Sequence, residues 1–308
     1  GIDHGVMLNL SQVYCNGWDR QDANDAIRWQ NDFNASVQEK RPDKFTCGFV
    51  VQPLFVEDAL KEIERCVEKL NMNLLCLPCA GASASMYMRW NRFLPEWLNV
   101  VPLELPGRGP RLDQAPVEDF TAQVQGLLSD YQQFFQQPFA FFGHSMGALL
   151  AYGMTRAMVA KRLPLPCALL LSACSAPHKF DPARFPDTGD REAMIADLRR
   201  QGGTPEALFA SPDLLEMTLD ILGADYRLLQ GFSAQKATPL PIPIQVLAGK
   251  EDDISPSALT AWQDCTTREM ALCEFDGGHF FIQEQQSRVL AHIGRVLSAD
   301  FAKTDAAV

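Results

Sequence analysis

The sequence predicts an α/β protein, a mostly parallel sheet with helices on both faces and a helical insertion over one edge. Three observations carry this. From residue 73 onward strand-like and helix-like segments alternate, and several strands are unbroken apolar runs, the mark of strands covered on both faces. The run Phe139-Ala140-Phe141-Phe142-Gly143-His144-Ser145-Met146-Gly147 leads an apolar strand through G-x-S-x-G into a helix of small residues. So sharp a turn lets only glycine flank the serine, and it lifts the serine oxygen above the sheet. Finally, residues 178–235 stand between two strands where a short crossover would serve, which reads as a lid.

Element by element, the sequence divides near residue 72. Before it, 23–40 and 56–70 read as helices around a short strand at 47–51, with Leu60, Ile63, Val67 and Leu70 on one face of the second helix. After it, 73–77 is a strand and 78–85 a loop of small residues. Helix 86–94, strand 100–105 and the long amphipathic helix 117–136 follow, the last with Phe120, Val124, Leu127, Leu128 and Tyr131 in register. The elbow strand and helix come next, then strand 168–172. Within the lid, 192–200 and 212–229 read as helices separated by Gly202-Gly203. Strand 242–248, helix 255–267, strand 271–275 and helix 280–296 complete the alternation. The expected domains are an extension over 1–72, a catalytic domain over 73–303 with its lid at about 178–235, and a tail over 304–308.

Composition bounds the rest. The chain has 308 residues, 47% of them hydrophobic, enough to bury a large core. A net charge of −11 makes nucleic acid an unexpected partner. No 18-residue apolar run argues for a membrane span, and the first residues lack a basic signal region. The nine cysteines show no framework spacing, as expected of reduced thiols in a cytoplasm. Cys76-Leu77-Pro78-Cys79 is a lone C-x-x-C without a second pair, and its position between strand and loop accounts for it.

The chemistry is that of an activated serine. Ser145 is the expected nucleophile. His279, in Asp276-Gly277-Gly278-His279-Phe280-Phe281, is the expected base, since two glycines let the backbone bend toward the serine. Asp252, at the end of a strand, is the expected orienting acid, with adjacent Asp253 as the alternative. The order Ser145, Asp252, His279 is that of the α/β-hydrolase fold. The oxyanion hole is expected from the backbone N–H groups of Met146 and Ala80. His144 is expected to point away from the serine. The lid's Leu214, Leu215, Met217, Leu219, Ile221, Leu222 and Leu229 serve either an acyl tunnel or plain helix packing.

Residues 73–300 resemble the stand-alone type II thioesterases of nonribosomal-peptide and polyketide synthesis. The resemblance rests on Leu77-Pro78-Cys79-Ala80-Gly81-Ala82-Ser83, Leu105-Pro106-Gly107-Arg108-Gly109-Pro110-Arg111 and the elbow. Ser172-Ala173-Cys174-Ser175-Ala176-Pro177, the Gly249–Asp252 turn with Trp262, and Gly277-Gly278-His279-Phe280-Phe281 add to it. Cys79, Ala82 and Ser172-Ala173-Cys174 depart from the usual pattern. The resemblance implies hydrolysis of acyl thioesters from the phosphopantetheine arm of acyl or peptidyl carrier domains, clearing misloaded or stalled units. It implies no metal or diffusible cofactor, because phosphopantetheine arrives on the partner. Arg89, Arg92, Arg108 and Arg111 are the expected docking cations for an acidic carrier. A small-molecule carboxylesterase or acyltransferase is the alternative. Residues 1–72 weakly resemble a fragment of an amidohydrolase barrel but hold only His4 where such barrels need several histidines. They are expected to be a fused piece without its own active site, with Met72 as a natural start of the remainder.

Overall fold

The computed structural model describes residues 5–7, 18–41, 45–47, 50–52, 54–59, 62, 72–95, 97–233 and 238–304. The chain falls into two compact units, one of Asn73–Asp300 and one of Gly1–Met72 with Phe301–Val308.

In the smaller unit, β1 (Gly5–Met7), α1 (Arg20–Lys40) and β2 (Phe45–Cys47) form a βαβ unit whose strands pair in parallel, Gly5 opposite Phe45. Asp19 caps α1 by accepting from the N–H groups of Gln21 and Asp22. The strand expected at 47–51 is β2, a few residues earlier. The helix expected over 56–70 lies mostly outside the described residues.

The larger unit is built on β3 (Met72–Leu77), β4 (Leu98–Pro102), β5 (Phe139–His144), β6 (Leu169–Ser172), β7 (Ile244–Gly249) and β8 (Met270–Phe275). They lie in the order β4-β3-β5-β6-β7-β8, and every pair from β3/β5 to β7/β8 is parallel. All of β3 and β5 is buried, which is why their sequences are unbroken apolar runs. Helices α2 (Phe120–Asp130) and α3 (Met146–Lys161) follow β4 and β5, and most of α3 from Met146 to Met158 is buried. This is the α/β-hydrolase fold.

Several expected helices are shorter than the periodicity suggests, and buried aromatic rings account for two of the breaks. The segment 86–94 is two 3-10 turns, Ala84–Tyr87 and Trp90–Arg92. They turn Tyr87 and Trp90 inward, edge-on to Phe142 at 5.8 and 5.0 Å. Helix α2 starts at the Asp119 cap and stops before Tyr131, whose hydroxyl accepts from the Glu104 N–H at 2.8 Å. The segment 255–267 changes from a short helix, Pro256–Thr260, to a 3-10 turn at Ala261. That turn buries Trp262, whose Nε1–H donates to the Cys174 carbonyl at 2.8 Å. The last helix is two, Phe281–Glu284 and Gln286–Thr304.

The lid holds α4 (Arg191–Gln201), α5 (Glu206–Phe209) and α6 (Pro212–Gln230). Gly202 and Gly203 between the first two sit at φ +75° and +76°. The apolar stripe of α6 divides. Leu219, Leu222 and Leu229 are buried in the core, whereas Leu214 and Met217 are exposed.

Candidate active site

Ser145 sits between β5 and α3 at φ 55°, ψ −114°. That strained conformation costs about 1–3 kcal/mol and persists only where its surroundings impose it. Its N–H donates to the Ser172 carbonyl at 2.8 Å, tying the elbow to β6. A Cβ on Gly143 would overlap the Gly147 carbonyl, and one on Gly147 would overlap the Leu77 carbonyl. Both glycines are therefore demanded by close backbone approach. Met146, as first residue of α3, has an N–H with no acceptor within the helix. Ala80 lies on the loop after β3, so both expected oxyanion donors stand at the carboxyl edge of adjacent strands.

His279 lies between β8 and the helix Phe281–Glu284, and its Nδ1 is 2.9 Å from Asp252 Oδ2. The two side chains are only 6% and 5% exposed. A carboxylate only accepts, so in the neutral imidazole Nδ1 carries the hydrogen and Nε2 the lone pair. That Nε2 is buried and hydrogen-bonds to none of the described residues. The loop after β7 places Asp252 there by turning, with the Asp252 N–H bonded to the Gly249 carbonyl and the Glu251 N–H to that of Gly277. Asp253 faces elsewhere and accepts from Arg200 at 2.6 Å. The adjacent carboxylates thus separate, and Asp252 is the one on the imidazole.

His144 packs beside the other imidazole of this region. Its ring lies 5.3 Å from that of His279, and Nδ1 is 2.9 Å from Ser172 Oγ. Burial and the neighbouring His279 hold its pKa well below the usual histidine range, so it stays neutral. Ala173 has φ +51°, a conformation glycine would adopt without strain.

Residues 72–297 match the model of the thioesterase domain family. The chain belongs to that family. It is 32% identical over 224 residues to the gramicidin S biosynthesis protein GrsT of Aneurinibacillus migulanus, covering 71% of this chain and 86% of the relative. It is similar in structure to RedJ, the thioesterase from the prodiginine pathway of Streptomyces coelicolor, with a TM-score of 0.68 and 30% identity over 72% of this chain and 89% of that one. The type II thioesterase BorB from the borrelidin biosynthetic cluster gives a TM-score of 0.66 and 31% identity, over 75% and 93% of the two chains. The chain is a thioesterase, and its reaction is hydrolysis of acyl thioesters.

Two of the four expected docking arginines turn inward in the thioesterase. Arg108 is buried, with both terminal nitrogens 2.6 Å from the carboxylate of Asp225 on α6. A guanidinium enclosed in that way cannot meet a partner. Arg111 donates to the Glu104 carbonyl at 3.0 Å and pairs with Asp130 at 2.8 Å. Both arginines of the proline-glycine-arginine loop therefore hold the protein together. Arg89 and Arg92 are exposed. Asp225 is the residue missed at the sequence level. Its only signal is a charge within Leu222-Gly223-Ala224-Asp225-Tyr226, on an otherwise apolar stretch of helix.

A cavity of about 890 Å³ opens between the loops after β6 and β7 and α4, its walls including Ser175, Arg184, Phe185, Asp197, Asp253 and Ile254. The C-x-x-C pair sits where the thiolate form is disfavoured. Cys76 and Cys79 are free and buried, and burial pushes the Cys79 thiol up to about 12. Among the described residues no helix is long and apolar enough to cross a membrane.

Proposed function

We propose that this thioesterase releases acyl groups from the phosphopantetheine arm of carrier domains in a nonribosomal-peptide or polyketide synthase, removing misloaded or stalled units. The observation that carries the mechanism is the buried His279–Asp252 pair, 2.9 Å long, with the second imidazole nitrogen left without a partner among the described residues. The identity of the carrier as partner is supported by relatives from gramicidin S, prodiginine and borrelidin biosynthesis.

In this reading Ser145 Oγ attacks the thioester carbonyl while His279 Nε2 takes its proton. Asp252 keeps the imidazole in the right tautomer and stabilises the imidazolium. The N–H groups of Met146 and Ala80 hold the oxyanion, each worth about 3 kcal/mol in the transition state. As the C–S bond breaks, His279 returns the proton to the departing thiol. Water then attacks the acyl-serine, giving up its proton to His279, and the carboxylic acid leaves with Ser145 restored. Neutral His144 leaves His279 as the one imidazole that takes up charge. These steps use no metal and no diffusible cofactor, and the phosphopantetheine belongs to the substrate. The cavity beside Asp253 has room for an acyl chain or for the arm itself. Arg89 and Arg92 are the exposed cations left for an acidic carrier surface. The free, buried Cys76 and Cys79 support a reducing compartment, the cytoplasm.

The test is a panel of acyl-phosphopantetheinyl carrier domains run beside small acyl thioesters and p-nitrophenyl esters, with Ser145→Ala as the blank. Fast serine-dependent release from the carrier, slowed by Arg89→Glu/Arg92→Glu for the carrier substrate alone, is the expected result. Preference for free esters would move the enzyme to the carboxylesterases, and full activity of Ser145→Ala would end the serine mechanism.

A further inference from the structure

The ion pair between Arg108 and Asp225 does more than join a loop to the lid. Asp225 Oδ2 accepts from Arg108 Nη1 at 2.6 Å and also from the Gly81 N–H at 2.7 Å. Arg108 Nη1 in turn reaches the Ala82 carbonyl at 3.2 Å. Residues 81 and 82 of the loop after β3 are thus fixed by the two ends of one buried pair, whose side chains are both 4% exposed. The loop also packs on the same face of α6, because a Cβ on Gly81 would lie 3.1 Å from Leu222 Cδ1, one helical turn before Asp225. On its other side Glu104 accepts from Ser83 Oγ at 2.5 Å and from the Ala84 N–H at 3.1 Å. Ala80, the expected second oxyanion donor, is the residue immediately before this clamped stretch.

We infer that Arg108 and Asp225 are positioning residues for thioester hydrolysis, setting the Ala80 amide through the Gly81 hydrogen bond. The inference rests on the reading of Ala80 as an oxyanion donor. The carboxylate supplies the acceptor that orients the loop. The guanidinium neutralises a buried negative charge that would otherwise stand close to where the oxyanion develops. An apolar pair of similar volume can fill the same space, and such replacements of buried ion pairs are often tolerated. It cannot accept the Gly81 N–H. Structure and positioning can therefore be separated.

The experiment compares wild type, Arg108→Met/Asp225→Leu and Asp225→Asn on a small free acyl thioester, reading kcat, KM and thermal midpoint. The double variant is expected to melt within a few degrees of wild type, with kcat down about 10- to 100-fold and KM changed less than about threefold. Asp225→Asn must set its NH2 against either Arg108 Nη2 or the Gly81 N–H, both donors that the carboxylate accepts from. Its kcat is therefore expected to fall about three- to tenfold, and this variant decides the matter if the double variant does not fold. Wild-type kcat in either folded variant overturns the positioning role. So does a loss carried wholly by KM. Ser145-dependent activity in wild type separates these failures from failure of the serine reading, which would take this inference with it.

Discussion

Residues 1–72 and the unit that follows both join parallel strands through helices, and both bury polar side chains, yet they use those groups differently. In the smaller unit Asn31 gives its whole carboxamide to structure. Its nitrogen donates to the Val50 carbonyl and to Glu62, and its oxygen accepts from the Val50 N–H. Asp58 is held by Arg20 and Asn24. In the larger unit His279 gives one nitrogen to Asp252 and keeps the other. Buried polar groups that saturate one another hold a fold together. A reactive site needs the same support with one atom left over, on an element whose partners keep it aimed.

The contrast can be broken most directly at Asp252. Asp252→Asn removes the orienting charge and is expected to lower kcat by about 10²- to 10⁴-fold, whereas Asp253→Asn, which loses only an exposed pair with Arg200, is expected to stay within about threefold. Similar losses in the two would undo the assignment of the acid. Steady-state kinetics on one free thioester suffices.

A smaller effect concerns His144. Its folded pKa lies below the unfolded value near 6.5 because of burial and the His279 neighbour. Below that pH the unfolded chain takes up a proton that the folded chain refuses, so stability falls as pH drops through the window beneath 6.5. The slope approaches about 1.4 kcal/mol per pH unit. Thermal midpoints of wild type and His144→Gln at pH 7.5, 6.5 and 5.5 should show a shallower acid loss in the variant, and parallel curves would refute it.

The smallest expected effect is that of removing residues 1–71. The family match spans 72–297, and Asn31 and Asp58 of the first unit are bonded to groups of that same unit. Hydrolysis of a free thioester by the shortened chain is expected within about twofold of the full chain. A tenfold loss would give the first unit a part in the reaction.

The elbow, its chain order and the sheet were legible because their signals are local. An apolar run, two glycines flanking a serine and the turn after a strand each lie within a few residues. The sequence favours Asp252 over Asp253 by its place at the strand end, and in the structure Asp252 lies on His279 and Asp253 on Arg200. Arg108 was misread because its partner is 117 residues away in the chain, and a loop arginine looks solvated until the lid helix that covers it is placed. The helix over 86–94 failed for a similar reason. Burying Tyr87 and Trp90 against Phe142 outweighs the regularity that periodicity implies.

The placement of the tryptophans has an optical consequence. Trp262 is sealed from solvent with its indole N–H bonded to the Cys174 carbonyl, and Trp90 is 3% exposed, while Trp18 and Trp29 in the first unit are 56% and 72% exposed. Emission from the native chain is therefore split into a blue-shifted, quencher-resistant component and a red-shifted one open to acrylamide. The first reports on the hydrolase core and the second mainly on residues 1–72, with a share from half-buried Trp97 of the larger unit. In a Trp97→Phe variant the melting of each unit can therefore be followed without a label.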